Sequence, residues 1–183
     1  MKKFLATVST VGILGASIIG GNAAMAADST TVIKGDQLDM TQPTIGNFDE
    51  ITLNGLAQST NAQVGSFTVK DPRGTGDGWS VWMQATQFTD SSNGNVLPQN
   101  SLEIAAPSIS EVEGSGSSDA QLITTTGGKI DNENGLVILS AGSNEGMGSY
   151  IVDANTLTLN LLPRDVKAGS YTTTVTVTFP TGP

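Results

Sequence analysis

An all-β, single-domain β-sandwich of short, mainly antiparallel strands joined by Gly-rich turns is the fold class that this sequence predicts. Apolar residues alternate with threonine over the second half of 171–179, and a similar alternation runs through 156–161. A period of two is typical of strands with one face in a core and one in water. No segment shows a sustained helical period, and clusters of Gly, Ser and Asn separate the apolar runs, as turns do.

Shorter apolar runs predict four further strands. Residues 136–139 form a continuous apolar run, which suits a strand that is buried on both faces. Residues 51–53, 67–69 and 102–104 are each expected to add a shorter strand. Many short strands with Gly-rich turns are typical of a sandwich. The Gly- and Ser-rich stretch 113–118 is too short to separate two domains, and we expect a hairpin loop there.

The start of the chain has the pattern of an export signal. Lys2 and Lys3 precede an apolar run over 4–21, and the small residues Ala24 and Ala26 follow it. An uncleaved membrane anchor is the alternative, but Thr and Ser interrupt the run, which is shorter than the ~20 apolar residues that a span needs. We therefore expect a signal peptide over 1–26 and one domain over 27–183, with a polar, loose lead-in over 27–42.

The charge of the chain bears on its partners. The formal net charge is −9, and loss of Lys2 and Lys3 would leave a more acidic mature chain. An acidic surface repels phosphate backbones, so we expect no nucleic-acid partner. No second apolar span follows the signal, so no transmembrane anchor is expected after cleavage.

The composition also limits the available chemistry. The sequence contains no His and no Cys, which excludes Ser-His-Asp and Cys-His mechanisms and an ordinary zinc site. The carboxylate pairs Glu111/Glu113 and Asp131/Glu133 remain, but pairs at this spacing are more often solvated loop charges than a glycosidase pair. We predict that the protein is not an enzyme and that it uses no metal and no cofactor.

Residues 131–135 (Asp-Asn-Glu-Asn-Gly) have two interpretations. Oxygen-bearing side chains at alternate positions are similar to a calcium loop, but the Gly comes one position early and no Glu closes the loop. Asn-Gly is also a strong signal for a β-turn between strands. The turn is the favoured interpretation, and calcium binding is left open.

Both tryptophans of the chain fall on one predicted strand, directly after a Gly-rich loop. Strand parity places Trp79, Val81, Met83 and Ala85 on a core face. The opposite face is polar except for two aromatic residues, and its members are Ser80, Trp82, Gln84, Thr86 and Phe88. We expect Trp79 to anchor the core inside the glycine loop and Trp82 to stand on the polar face. A bulge between Trp82 and Phe88 would bring Phe88 inside.

This region resembles the first signature of the WxL domain, a family of surface proteins of Gram-positive bacteria. The resemblance rests on an Asp-x-Arg-Gly loop from Asp71 to Gly74, then Gly78-Trp79-Ser80-Val81, and then Phe88. The second signature is similar to the end of the chain, where Tyr171 precedes Val177-Thr178-Phe179-Pro180. Val81 stands at a Leu position. Val177 and Phe179 stand where the second Trp and Leu are expected, so this is a divergent member that lacks the second Trp.

The resemblance implies that the protein is secreted and attached non-covalently to the cell wall of a Gram-positive bacterium. The expected partners are peptidoglycan or a wall polymer, together with a partner surface protein of the kind that acts with WxL domains. The sequence agrees with non-covalent attachment, since no sortase signal is present. The alternative function is a structural or adhesive subunit that assembles with a partner surface protein or with itself and has no glycan site.

An exposed aromatic face with polar neighbours suits the recognition of a glycan, because the ring stacks on the apolar face of a sugar. The candidate ligand-binding residues are Trp82, Gln84, Arg73, Gly74, Gly76 and Trp79, and the second-signature positions are Tyr171, Val177 and Phe179. Structural roles compete for several of them. We expect Trp79 to be core, Arg73 to bridge Asp71 or Asp77 within the loop, and Trp82 either to form a ligand platform or to pack under a neighbouring loop.

Overall fold

The computed structural model describes residues 29–180, and the signal peptide predicted over 1–26 lies outside the described residues. Their elements in chain order are β1 (Asp39–Met40), β2 (Gln58–Val64), β3 (Phe67–Asp71), β4 (Trp79–Ala85), β5 (Thr89–Asp90), β6 (Asn95–Val96), β7 (Leu102–Ile104), β8 (Ile109–Glu111), the 3-10 turn η1 (Ala120–Leu122), β9 (Thr124–Thr125), β10 (Gly128–Lys129), β11 (Leu136–Ala141), β12 (Gly148–Val152), β13 (Asn155–Leu161) and β14 (Val175–Thr178). Within this part of the chain, no helix has the length and apolar character needed to cross a membrane.

The predicted all-β, antiparallel fold class is confirmed. Every strand pair in residues 29–180 is antiparallel. Three four-stranded sheets have the orders β1-β3-β12-β8, β10-β7-β13-β2 and β14-β4-β11-β9, and β5 and β6 form a separate hairpin. The strands predicted over 67–69, 102–104, 136–139 and 156–161 are all present, and the end of the alternating segment 171–179 forms β14.

The first two of these sheets are the two halves of one bent sheet. The last residue of β2, Val64, pairs with Asn155 on β13, and the first residue of β3, Phe67, pairs with Val152 on β12. Between these two pairs each chain segment moves by three residues, so the pairing register of β2 with β13 continues into that of β3 with β12. The strands β7 and β8 keep one register with β13 and β12 in the same way. The lead-in also follows this sheet, because β1 pairs with β3 and Ile45 bridges to Val64.

The core is built from the inner faces of this bent sheet and of the sheet β14-β4-β11-β9, as in a sandwich. Its largest fully buried side chains come from both sheets and, for Ile130, from the residue that follows β10: Trp79, Tyr150, Met83, Leu102, Ile130, Ile138, Leu139, Leu157, Val64, Val69, Val81 and Val152. On β4 the four positions that strand parity assigns to the core are all buried; on the opposite face Ser80 is buried as well, whereas Trp82 and Gln84 are exposed.

A β-bulge lies in β11 rather than in β4. Val137 pairs with Trp82 and Leu139 pairs with Val81, so Ile138 is the extra residue. The bulge lets Ile138 and Leu139 both turn into the core, although they are consecutive. The bulge expected between Trp82 and Phe88 is therefore wrong. Phe88 is buried because β4 ends at Ala85 and the chain leaves the sheet before it.

Two local predictions need correction. Residues 51–53 form no strand, since the Ile-Thr-Leu alternation is too short and finds no pairing partner. The stretch 113–118 is not a hairpin loop, because β8 before it pairs with β12 and the chain goes on to η1. The turn predicted over 131–135 is present between two strands, and it joins β10 of one sheet to β11 of the other.

Trp79 is the largest side chain of the core and is 0% exposed. Its Nε1 donates a hydrogen bond of 2.8 Å to the carbonyl oxygen of Gly146. Its ring meets Phe179 edge to face, with centroids 5.7 Å apart, and lies 6.1 Å from the ring of Tyr150. The loop against its indole is thus the loop after β11, and the expectation that the loop before β4 covers it needs this correction.

Replacing Trp79 by Ala is expected to lower the free energy of unfolding by about 3–5 kcal/mol, because the change opens a cavity and leaves the Gly146 carbonyl without its donor. Urea denaturation with far-ultraviolet circular dichroism measures this. Trp82→Ala is the control, with an expected loss below about 1.5 kcal/mol for a partly exposed ring. Equal losses in the two variants would contradict the assignment of only one ring to the core.

Candidate functional site

The Gly-rich loop before β4 is closed by one ion pair. Arg73 binds Asp71 through two hydrogen bonds of 2.8 Å, from Nε to Oδ1 and from Nη2 to Oδ2. Nη2 also donates to the carbonyl oxygen of Gly78, at 2.6 Å. The guanidinium therefore ties the end of β3 to the residue before Trp79. The predicted bridge from Arg73 is confirmed, with Asp71 as its partner.

The Asp71 carboxylate is almost completely buried, with 1% of its side chain exposed, whereas 15% of the Arg73 side chain is exposed. The hydrogen bonds from Arg73 lower the pKa of Asp71 below its usual value, against the opposing effect of burial. The same pair raises the pKa of Arg73. The Arg73 guanidinium therefore has a structural role, since its hydrogen bonds to Asp71 and Gly78 close the loop.

Two glycine loops pack against each other beside Trp79. The carbonyl oxygen of Gly76 accepts a 2.7 Å hydrogen bond from the amide of Asn144. Gly78 has a φ of +72°, and a Cβ there would collide with the carbonyl of Ala141. Gly146, with a φ of +66°, would place a Cβ 2.5 Å from Nε1 of Trp79. These positions need glycine for both conformation and space. Gly74, with a φ of +68°, is exposed and has no neighbour within 4 Å of such an added Cβ.

The two sequence signatures meet in the structure, because β14 pairs with β4. Val177 lies opposite Met83 and is packed against the core, on the inner face of the sheet. Phe179 reaches the ring of Trp79. The signature positions Trp79 and Val177 both face the core, so a Trp in place of Val177 would not stand on the solvent-facing side of the sheet.

Trp82 is the exposed aromatic residue of this sheet and is 39% exposed. Its cross-strand partners are Val137 on β11 and Thr178 on β14. Its Nε1 lies 3.1 Å from Oγ of Ser80, on the same face of β4, and donates to it. The indole is therefore fixed to its own strand while part of its ring surface stays open to water.

Gln84 continues this outer face two residues further along β4, opposite Thr176. Its Nε2 donates to the carbonyl oxygens of Asn132 and Glu133 in the turn 131–135, at 3.2 and 3.0 Å. A groove of about 350 Å³ begins here. It is lined by Gln84, Ala85, Thr86, Gln87, Gln99, Asp131, Asn132, Glu133, Thr174 and Thr176. We call Trp82, its exposed neighbours Gln84, Thr176 and Thr178, and the half-buried Val137 the outer face.

One carboxylate of each predicted pair, Glu111 and Asp131, accepts a hydrogen bond from a backbone amide of the fold. Glu111 accepts a 2.6 Å hydrogen bond from the amide of Ala120, and this bond lowers its pKa. Asp131 is 2% exposed, and its Oδ2 accepts a 2.8 Å bond from the amide of Ser101. Within residues 29–180, no cluster of three or more acidic residues is arranged to hold a metal ion.

A larger groove, of about 900 Å³, lies at another part of the domain. Its walls are the segments 45–53 and 166–173, and its floor includes the buried residues Phe88, Leu97 and Leu159. Phe48 meets Phe88 edge to face, with centroids 5.5 Å apart. Tyr171 lines this groove as well, and its hydroxyl donates to the carbonyl of Lys167 at 3.0 Å.

The structure thus divides the sequence candidates among three places. Arg73, Gly74, Gly76 and Trp79 lie in the loop region with Phe179. Of the two candidate glycines, Gly74 is exposed and Gly76 is buried. Trp82 and Gln84 share the outer face, while Tyr171 lines the larger groove. Sequence reasoning missed the contribution of β14, whose Thr176 and Thr178 flank Gln84 and Trp82. Their alternation with Val175 and Val177 did signal that these threonines face water.

An antiparallel β-sandwich with one fixed, exposed indole among hydroxyl and amide groups has the features of a surface-recognition module. The comparison with family models agrees. The chain belongs to the WxL family of surface cell wall-binding domains, whose model matches residues 27–183. That family is a wall-binding family and not an enzymatic one. The comparisons with curated proteins and with solved structures gave no match.

Arg73→Ala is expected to lower the free energy of unfolding by about 3 kcal/mol at pH 7, because it leaves the buried Asp71 charge without a partner. The folded-state pKa of Asp71 lies below its unfolded value of about 4, so its contribution is present above that pH and is lost as the pH falls through the folded pKa. The difference between wild type and variant should therefore shrink below about pH 4. Urea melts from pH 3 to pH 7 measure it, and a constant difference across this range would contradict the prediction.

Gly146→Ala and Gly74→Ala form a matched pair, since both positions have a φ near +67°. Gly74→Ala should cost about 1 kcal/mol from backbone strain alone. Gly146→Ala should cost about 1–3 kcal/mol more, because its methyl group collides with the indole of Trp79. Thermal denaturation of both variants measures the two losses. Similar melting temperatures would show that the loop yields to the methyl group and does not restrain Trp79.

Proposed function

We propose that this protein is secreted to the surface of a Gram-positive bacterium and binds its wall non-covalently, through peptidoglycan or a wall polymer, with the outer face as the contact surface. One observation carries the assignment to this face: Trp82 is 39% exposed, and its exposed neighbours on that face, Gln84, Thr176 and Thr178, are polar. Aromatic rings stack on the apolar faces of sugar rings, and hydroxyl and amide groups beside them bond to the sugar hydroxyls. Thr176, Thr178 and Gln84 supply such groups.

The state of Trp82 before binding favours this role. Its hydrogen bond to Ser80 already restricts the side chain, so little rotamer freedom is lost when a ligand stacks on the ring. The pairing of β4 between β11 and β14 places the ring on an inner strand of the sheet, which is a more rigid support than a loop. Export by the signal peptide predicted over 1–26 would deliver the domain to the wall.

A second function, assembly with a partner surface protein, is favoured by the larger groove. Its exposed rim residues Ile45 and Leu53 and its apolar floor are typical of a surface that buries part of another protein. Phe88 and Tyr171 both line this groove and both belong to the sequence signatures, which supports this alternative. It does not involve Trp82, so one variant separates the two functions.

Trp82→Ala is expected to reduce binding of the purified protein to insoluble Gram-positive cell wall by about three- to tenfold, since stacking on one aromatic ring contributes about 0.5–1.5 kcal/mol. Sedimentation of the wall with bound protein measures the affinity. Ile151→Ala is the matched control, because Ile151 on β12 is 38% exposed and lies in the other sheet. Unchanged wall binding by a folded Trp82→Ala variant would overturn the proposal and favour assembly with a partner protein.

A further inference from the structure

The lead-in begins with an exposed apolar pair. Val32 is 82% exposed and Ile33 is 90% exposed, the two highest values among the exposed large apolar side chains of residues 29–180. Covering both side chains would remove apolar surface from water, which favours association with another surface. We call residues 29–34, whose sequence is Ser-Thr-Thr-Val-Ile-Lys, the exposed segment.

Close packing at Gly35 fixes the point at which the exposed segment leaves the domain. A Cβ on Gly35 would collide with the carbonyl oxygen of Arg73. The amide of the next residue, Asp36, donates a 3.1 Å hydrogen bond to the carbonyl oxygen of Pro72, just beyond the end of β3. The exposed segment therefore starts from this end of the bent sheet.

The lead-in then follows the bent sheet before it forms a wall of the larger groove. At that wall, the carbonyl oxygen of Asp49 accepts a 2.8 Å hydrogen bond from the hydroxyl of Thr60. Thr60 and Pro72 are 12 positions apart, which corresponds to about 40 Å of strand. The exposed segment spans at most about 20 Å. This is shorter than the path along the sheet to its own groove, so the groove that it can enter is that of a second copy.

The larger groove complements the exposed segment in character and charge. Its floor is apolar, and its volume of about 900 Å³ leaves room for several side chains. Its charged lining residues are Asp49, Glu50 and Lys167, so carboxylates outnumber ammonium groups. The exposed segment carries the opposite sign, since Lys34 is its one charged side chain. We call Asp49 and Glu50, which are both exposed, the acidic wall.

The larger groove also adjoins the free edge of β14. Val175 lines the groove, and β14 is the last strand of its sheet among the described residues. The amide of Thr86 donates to the carbonyl oxygen of Thr174, so the alternation of an antiparallel pair turns the backbone groups of Val175 and Val177 away from β4. Such an edge is a template for an added strand, and the β-branched residues at 30–33 suit that conformation.

We propose that the exposed segment of one copy adds as a strand to the free edge of β14 in a second copy, with Val32 in the larger groove and Lys34 beside the acidic wall. Val32 and Lys34 are two residues apart, so they share one face of a strand. Ile33 then lies on the other face, beside the outward threonines of β14. The inference rests on the second proposed function, assembly through this groove, and names a second copy as the partner.

The arrangement also determines the form of the assembly. The exposed segment leaves the domain at the Pro72 end of the bent sheet, whereas the receiving groove lies at the Thr60 end. The donating and receiving surfaces are therefore different, and the contact is head-to-tail. A head-to-tail contact that does not close a ring repeats from copy to copy and gives a chain.

Sedimentation velocity of the purified mature protein, residues 27–183, tests the association. The contact is small, so we expect a dissociation constant of about 10–100 μM and a mean mass that rises past that of a dimer. Val32→Asp should weaken the association at least about tenfold, because it removes the buried apolar contact. Leu122→Asp is the matched control, since Leu122 is 53% exposed and lies on η1, outside both surfaces.

A mixing experiment tests the head-to-tail geometry. Val175→Pro removes an amide from the free edge of β14 without breaking a bond to β4, so it blocks strand addition. Val32→Asp keeps the groove and loses the donor segment, whereas Val175→Pro keeps the segment and loses the edge. Each variant alone should be monomeric at about 100 μM, and an equimolar mixture should give dimers and nothing larger. A mixture that stays monomeric would overturn the inference.

A charge exchange gives the answer if Val175→Pro does not fold, since both positions are exposed. Lys34→Glu should weaken the association by about three- to fivefold, because it faces the acidic wall. Adding Glu50→Lys to Lys34→Glu should restore most of the loss. Absence of this restoration would show that Lys34 does not meet the acidic wall, and the proposed contact would be wrong.

The outcomes separate this inference from the function on which it rests. A wild type that stays monomeric at about 1 mM would overturn the inference, and so would a Val32→Asp variant that associates as wild type does. If a monomeric wild type binds a different surface protein and Leu53→Asp on the groove rim prevents it, the second proposed function stands and only the inference falls.

Discussion

The contact between Trp79 and Phe179 is the interaction on which the rest of this structure depends. It joins the first signature, at the start of β4, to the second, at the end of β14. The indole also binds Gly146, so the loop after β11 is held at the same point, and Gly76 and Arg73 hold the loop before β4 beside it. With β14 fixed on β4, its outward threonines come to flank Trp82. Packing around the buried tryptophan therefore positions the strand whose threonines lie beside the exposed one.

This arrangement explains why a divergent second signature is compatible with the fold. Val177 and Phe179 both pack on the inner side, where the volume of the side chain decides stability. Val177 packs on the core opposite Met83, and the ring of Phe179 lies beside Trp79. Recognition, as proposed here, uses residues outside the signatures. The signatures then identify the fold, while the proposed contact with the wall is made by Trp82, which lies outside them.

The sequence predicted the strands that follow from local periodicity. It did not predict the features that depend on which strands pair with each other. Parity on β4 correctly separated Trp79 from Trp82, and the Thr alternation correctly identified β14 and β13. The strand β2 was missed because its inward side chains Thr60 and Ala62 are too small or polar to form an apolar pattern. The groove beside Gln84 could not be predicted, since it forms only when β4, β14 and the turn 131–135 meet. Asp131 was noted as an acidic residue, but its bond to the amide of Ser101 is visible only in three dimensions.

The central claim is that of the two indoles only Trp82 contacts the wall. The two indole N–H signals in a nitrogen–proton NMR spectrum report on this directly, and the Trp82→Ala variant assigns them. On titration with soluble peptidoglycan fragments, the account predicts that the Trp82 signal shifts while the Trp79 signal, buried and bonded to Gly146, stays in place. Saturable binding that leaves the Trp82 signal unmoved, or that moves the Trp79 signal instead, would contradict it.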